Sequence, residues 1–62
     1  MSINTERYYN THQKQPRGYG NWAFSDRAET RINFFTGTYS EAVRAAKKWA
    51  KQNNIIVLYV LG

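Results

Sequence analysis

The stretch TYSEAVRAAKKWAKQNN, residues 38–54, decides the fold that the sequence predicts. Its apolar residues recur every three or four positions, which is the spacing of one face of an α-helix. Thr38 and Glu41 match the capping-box pattern of a helix N-terminus, although a cap at Ser40 fits as well. The two asparagines that close the stretch supply a C-terminal stop. We therefore predict an amphipathic helix that ends near Asn53.

The two sides of this predicted helix differ in chemistry. The small, mostly apolar side carries Ala42, Ala45, Ala46, Trp49 and Ala50. The opposite side carries Arg44, Lys47, Lys48 and Lys51. Small side chains let a helix lie close to a sheet, so larger side chains of the sheet are expected to fill the space between them. The residues expected to do so are Trp22, Ile32 and Phe34.

Three short stretches outside the helix are predicted to be strands. The first covers about Tyr19–Ser25 and the second Thr30–Thr36, and both alternate in the manner of half-buried strands. The connection Asp26–Ala28 is short enough for a hairpin. The third, Ile55–Leu61, is apolar on both faces, which is typical of a central or covered strand. A strand–helix–strand crossover makes it parallel to the second strand, so we expect the sheet order second, first, third.

These elements predict an α+β fold and one small domain over residues 18–62. Its sheet is three-stranded and mainly antiparallel, with one packed amphipathic helix in the order β-β-α-β. Residues 1–17 are polar and without period, which is typical of a segment that cannot offset its own ordering entropy. We predict a flexible polar tail there, from which Tyr8 and Tyr9 can dock onto the domain or onto a partner.

Composition argues against catalysis. The chain has 62 residues, no cysteine and a single histidine, His12, which falls in the predicted tail. A domain of this size has room for one core and none for a deep catalytic cleft. The four acidic residues do not form a pair in a shared pocket, which general acid–base catalysis requires. We therefore expect no enzyme, no metal site and no cofactor.

Cellular location is inferred from what the sequence lacks. Residues 1–7 contain no apolar segment of the kind found in a secretory signal. The longest apolar run, Ile55–Leu61, is far shorter than the roughly 20 residues that cross a bilayer. The absence of cysteine fits a reducing compartment. The expectation is a cytoplasmic protein that does not enter a membrane.

The net charge of +5 favours acidic partners, nucleic acid among them. The first hypothesis is a non-enzymatic binding protein that acts on nucleic acid or on a nucleoprotein complex, because clustered cations can follow phosphates. The predicted nucleic-acid-binding residues are Arg31, Arg44, Lys47, Lys48 and Lys51. A solvated helix face that keeps the protein soluble explains the same cluster.

A pentapeptide within the helix, Lys47-Lys48-Trp49-Ala50-Lys51, is similar to the Lys-Lys-x-Ala-Lys phosphate-binding signature of double-stranded RNA-binding domains. In that family the motif begins a helix that ends the domain. Here it lies late in the helix and a strand follows it. The similarity covers five residues, and we assign no family on it.

The sheet face away from the helix is the second candidate surface. The residues expected there are Tyr19, Ala23, Arg31, Asn33, Phe35, Val57 and Tyr59. Aromatic side chains beside an arginine can stack on unpaired bases, but an open apolar face also marks protein contact or a homodimer. The alternative function is a protein-binding module or inhibitor, such as a phage- or plasmid-borne accessory factor that blocks host machinery through this face or the sheet edge. Its predicted partner-binding residues are Tyr19, Phe35 and Tyr59.

Overall fold

A computed structural model describes residues 2–61 as an α+β fold with four strands and two helices. The elements are β1 (Ser2–Asn4), α1 (Glu6–His12), β2 (Tyr19–Ser25), β3 (Ile32–Thr38), α2 (Tyr39–Gln52) and β4 (Val57–Val60). The sheet order is β1-β4-β2-β3, with β1 parallel to β4 and the other neighbours antiparallel. The predicted class and the order of the three predicted strands are confirmed. Met1 and Gly62, at the ends of the predicted tail and domain, lie outside the described residues.

The N-terminus of α2 is the predicted capping box. Thr38 Oγ1 accepts a hydrogen bond from Glu41 N at 3.2 Å, and Glu41 Oε1 accepts one from Thr38 N at 3.0 Å. The cap is therefore Thr38 and not Ser40. The hydrogen bonds from Thr38, and to a lesser degree the charge of Arg44, lower the pKa of Glu41. Because the folded-state pKa is lowered, this stabilisation is present at neutral pH and is lost as the pH falls through that pKa.

The C-terminus of α2 confirms the predicted asparagine stop. Asn53 caps the helix, and its Nδ2 donates to Trp49 O at 2.9 Å. Asn54 adopts a left-handed φ of 58°, a conformation that asparagine tolerates better than most residues. The chain then turns back, so that Ile55 N donates to Ala50 O at 2.9 Å and the Ile55 side chain is buried.

The core lies between α2 and one face of the sheet. Ala42, Ala46 and Ala50 are buried on α2, which lets the helix approach the sheet closely. The larger buried side chains that they meet are Trp22, Phe24, Leu58 and Val60. The partly buried side chains that pack around them are Ile3, Tyr8, Phe35, Tyr39, Val43 and Trp49.

Gly37 occupies a position that favours glycine. Its φ of 144° is one that L side chains rarely adopt, and a Cβ there would lie 3.2 Å from Glu41 Oε1. The Gly37 carbonyl also accepts the indole N–H of Trp22 at 3.2 Å. This residue therefore joins the buried tryptophan to the start of α2.

The cross-strand register of β2 and β3 differs from the one predicted. Trp22 pairs with Phe35 and Ala23 with Phe34, and residues directly opposite share a face. Phe35 therefore points toward α2, where its ring makes edge contacts with Phe24 and Trp49. The prediction that Ile32 and Phe34 fill the core is wrong, as is the placement of Asn33 and Phe35 on the open face.

The hairpin connection explains the difference in register. It runs from Asp26 to Arg31, which is longer than the predicted link, and β3 begins at Ile32. The Asp26 carboxylate organises the connection by accepting Thr30 Oγ1 at 2.6 Å and Thr30 N at 2.9 Å. Those bonds lower the pKa of Asp26, with the Thr30 hydroxyl as the largest cause. Since residues directly opposite each other share a face, the length of the connection decides which β3 side chains lie on the same face as Trp22.

The N-terminal segment is folded where a tail was predicted, so the three-stranded, one-helix description is incomplete. Ser2–Asn4 pair with β4, and Ile3 lies opposite Leu58. Tyr8 on α1 docks onto the domain, with its ring centroid 5.6 Å from that of Trp22. The segment orders because β4 is otherwise an edge strand with unpaired backbone groups, and β1 pairs with that edge. This makes β4 a central strand, as its two apolar faces predict.

Replacing Thr38 with Ala tests the capping box. The substitution removes the Oγ1 acceptor, so we expect the free energy of unfolding to fall by about 1 kcal/mol. Thr38→Ser keeps a hydroxyl at the same place and should lose much less. Urea unfolding at neutral pH measures both, and equal midpoints for wild type and the Ala variant would contradict the role of this cap.

Replacing Phe34 and Phe35 separately with Ala tests the register. Phe35 packs against the core, so Phe35→Ala should lower the free energy of unfolding by about 2 kcal/mol. This is less than the roughly 3–5 kcal/mol lost when a fully buried phenylalanine is replaced by alanine. Phe34 is 62% exposed, so its loss should cost less than about 0.5 kcal/mol. The two variants have the same composition and serve as matched controls. If Phe34→Ala lost more stability than Phe35→Ala, the result would support the register predicted from sequence and contradict the observed one.

Candidate nucleic-acid interface

The exposed side of α2 presents four cations, which we call the α2 basic face. Its residues are Arg44, Lys47, Lys48 and Lys51, and all four side chains are exposed. Arg44 and Lys51 are seven positions apart, so the cations extend over about 10 Å of helix at 1.5 Å per residue. The buried alanines on the opposite side fix the rotation of α2 and hold this face toward solvent. The predicted clustering of the four helix cations is confirmed.

Two of the four acidic side chains of residues 2–61 form folding contacts on other elements, one lies on α1 and one lies beside this face. Glu41 is held in the capping box, and Asp26 organises the hairpin connection. Glu29 forms a salt bridge with Arg7 at 2.9 Å, and Glu6 lies in the first turn of α1. Glu41 is the one carboxylate near the basic face, where Arg44 helps to lower its pKa. Within the described residues, the lysines of the face have no salt-bridge partner.

Arg31 is not on the open sheet face, where it was predicted. It precedes β3, and its Nη1 donates to Asn53 Oδ1 at 3.0 Å. This bond ties Arg31 to the C-terminal end of α2, the helix that carries the basic face. Arg31 and Arg27 also line a shallow groove of about 460 Å³ beside that end. Nothing in the sequence indicated this placement, because Arg31 and Asn53 are distant along the chain.

The three predicted partner-binding residues do not form one surface. Tyr19 is on the open face and is 78% exposed. Tyr59 is on the same face but only half-exposed, since the Arg7 guanidinium lies 4.8 Å from the centre of its ring. Phe35 is on the opposite face, against α2. The residues that the sequence analysis missed on the open face are Ile32 and Phe34, both exposed. Their alternation with Phe35 was visible, but the face was assigned in reverse.

A second cationic region lies where the segment after α1 meets β2. Lys14 and Arg17 line a shallow groove of about 370 Å³ together with Tyr19 and His12. From sequence, this segment was predicted to be part of the tail, with no binding site. It lies at the rim of the sheet and is lined by elements other than α2, so it is a separate surface.

The described part of the chain was also searched for metal-binding clusters and membrane-spanning helices. Within residues 2–61, no group of three or more His, Asp or Glu side chains is arranged to hold a metal ion. Neither described helix has the length and apolar character needed to cross a membrane. What the arrangement offers chemically is charge on α2 and exposed apolar area on the sheet.

Comparison with known proteins found no relative of this chain. No family model, curated protein or solved structure matches the chain. A functional proposal for this protein therefore rests on its own residues.

Proposed function

We propose that this protein binds nucleic acid through the α2 basic face. The observation that supports the proposal best is the arrangement of charge: four cations lie together on one side of α2, where Glu41 is the one nearby carboxylate, while Asp26 and Glu29 are used in contacts on other elements. Cations that lack nearby carboxylates keep their attraction for phosphates, and binding releases the counterions that phosphates hold. A rigid helix also holds the charges in place before binding, which reduces the entropy lost on association.

The chemistry of the face favours contact with the backbone over reading of bases. Three of its four cations are lysines, which contact phosphates as flexible point charges. Such contacts position a protein on nucleic acid but carry little sequence information. Arg31 and Arg27 lie beside the C-terminal end of α2, in a groove that Asp26 also lines. We therefore expect binding that depends on charge and tolerates many sequences.

Removal of two lysines from the face is the test of this proposal. Wild type and Lys47→Ala/Lys48→Ala are titrated against fluorescent single- and double-stranded DNA and RNA oligonucleotides at several salt concentrations. We expect the affinity of wild type to fall steeply with salt, with a logarithmic slope of about −3 to −4 on duplex DNA if all four cations contact phosphates. The double variant should bind more weakly, and its slope should be shallower by about 2.

The matched control is Lys14→Ala/Arg17→Ala, which removes the same charge from the groove beside β2. If charge alone matters, the two double variants will weaken binding equally, and the α2 basic face is not the site. If only the control weakens binding, the interface is that groove. Absence of any complex at low salt would reject nucleic acid as the target. The protein-binding hypothesis, in which the chain acts as a module or inhibitor, would then take its place.

A further inference from the structure

An exposed isoleucine lies beside the C-terminal end of the α2 basic face. Ile56 is 80% exposed, the highest value among the large apolar side chains of residues 2–61. It stands at the border of two shallow grooves, because it lines both the groove of about 460 Å³ described above and a second groove of about 420 Å³. A single exposed apolar side chain is ordinary, so its surroundings decide whether it has a role.

The backbone holds Ile56 in place from both sides. The preceding residue, Ile55, is buried, and its N–H donates to Ala50 O at 2.9 Å. The Ile56 carbonyl accepts a hydrogen bond from Ser2 N at 3.2 Å, which joins it to β1. A fixed backbone therefore presents the side chain, and little conformational entropy is lost when a ligand packs on it.

The second groove combines this apolar side chain with two cations of the α2 basic face. The residues that line it are Lys47, Lys51, Asn54, Ile55 and Ile56. None of them is acidic, and the two lysines are four positions apart, which is roughly 6 Å along the helix axis. The groove thus offers positive charge and apolar contact side by side.

The charge on the other side of Ile56 is more mixed. There, the first groove contains Arg27 and Arg31, but the Asp26 carboxylate lines it as well. An acidic group among cations reduces their attraction for an anion. An anionic group of the ligand is therefore expected on the lysine side of Ile56.

We propose that Ile56 packs against an unpaired base of a nucleic acid strand whose phosphates lie on Lys47 and Lys51. The inference rests on the proposed function, because two cations of the α2 basic face line this groove. It adds that the strand, whether DNA or RNA, is single where it crosses Ile56. The exposed amide of Asn54 can donate to and accept from the edge of the same base.

The accessibility of base faces is the reason for choosing a single strand over a duplex. In a duplex, each base is covered by its stacked neighbours, and only its edges are accessible in the grooves. An apolar side chain on the outer phosphates of a duplex would displace water from charged oxygens without compensation. In a single strand the flat face of a base is free, and burying it against Ile56 gains free energy.

The closeness of charge and apolar contact favours a nucleotide strand over an acidic peptide. Every nucleotide carries a phosphate and a base next to each other, so any stretch of single strand offers the required pair. A peptide offers it only with a particular order of acidic and apolar side chains. Contact with the face of a base is also tolerant of sequence, as expected for the α2 basic face.

A thymine oligonucleotide and an abasic strand of the same length separate base contact from charge. Both carry the same phosphates, and fluorescence anisotropy measures binding to each. Wild type should bind the thymine strand about threefold to tenfold more tightly, the gain expected from partly burying one isoleucine. Ile56→Ser should lose that preference while its affinity for the abasic strand and for duplex DNA stays that of wild type. Its salt dependence should also be unchanged, because no charge is removed.

Ile32→Ser is the matched control, since it makes the same change at an exposed residue that lines neither groove. It should keep the wild-type preference for the thymine strand, and circular dichroism should show both serine variants folded. Ile56→Trp offers a larger flat surface and should increase the preference without changing affinity for the abasic strand. A purely structural role for Ile56 predicts no such gain.

The outcomes distinguish failure of this contact from failure of the proposed function. Equal affinity of wild type for the two strands would overturn the base contact and leave the phosphate contacts of α2 in place. A preference that Ile56→Ser retains would overturn it too, since the base then lies elsewhere. The same holds if Ile56→Ser weakens binding to all strands alike. If neither strand binds at low salt, the nucleic-acid function is rejected, and this contact with it.

Discussion

The register between β2 and β3 is the constraint on which the rest of this structure depends. Because Trp22 lies opposite Phe35, both rings face α2, and the Trp22 indole reaches the Gly37 carbonyl. No residue separates β3 from α2: Thr38 is both the last residue of the strand and the N-cap of the helix. The register therefore fixes where α2 begins along the sheet as well as which aromatic rings it covers.

Both candidate surfaces follow from this one constraint. Alanines on α2 close onto the aromatic face of the sheet, and that contact turns the cations of the helix toward solvent. On the other face, the same register leaves Phe34 exposed on an edge strand instead of burying it. Charge and apolar area are thus separated onto different elements. The separation leaves one small domain with exposed cations on α2 and exposed apolar side chains on the edge strand β3.

Local features of the sequence predicted the helix well and the register poorly. The capping box at Thr38 and the asparagine stop depend on residues close together in the chain, and both are confirmed. The register depends on how Asp26 bonds across the hairpin connection, which composition does not reveal. The N-terminal segment was misjudged because its ordering comes from contacts with distant residues, such as Ile3 against Leu58 and Arg7 with Glu29. Among the predicted site residues, the helix cations follow from periodicity alone, whereas Phe35 and Arg31 required the tertiary contacts.

A nuclear Overhauser spectrum of the folded chain tests the register most directly. Ala23 and Phe34 form a non-hydrogen-bonded pair, in which opposing Cα atoms lie about 4.5 Å apart. This register predicts a strong contact between the Hα protons of Ala23 and Phe34. A strong contact from Ala23 Hα to the Hα of Asn33 or Phe35 would show a register shifted by one residue. That result would contradict the core, the exposed edge and the placement of α2 together.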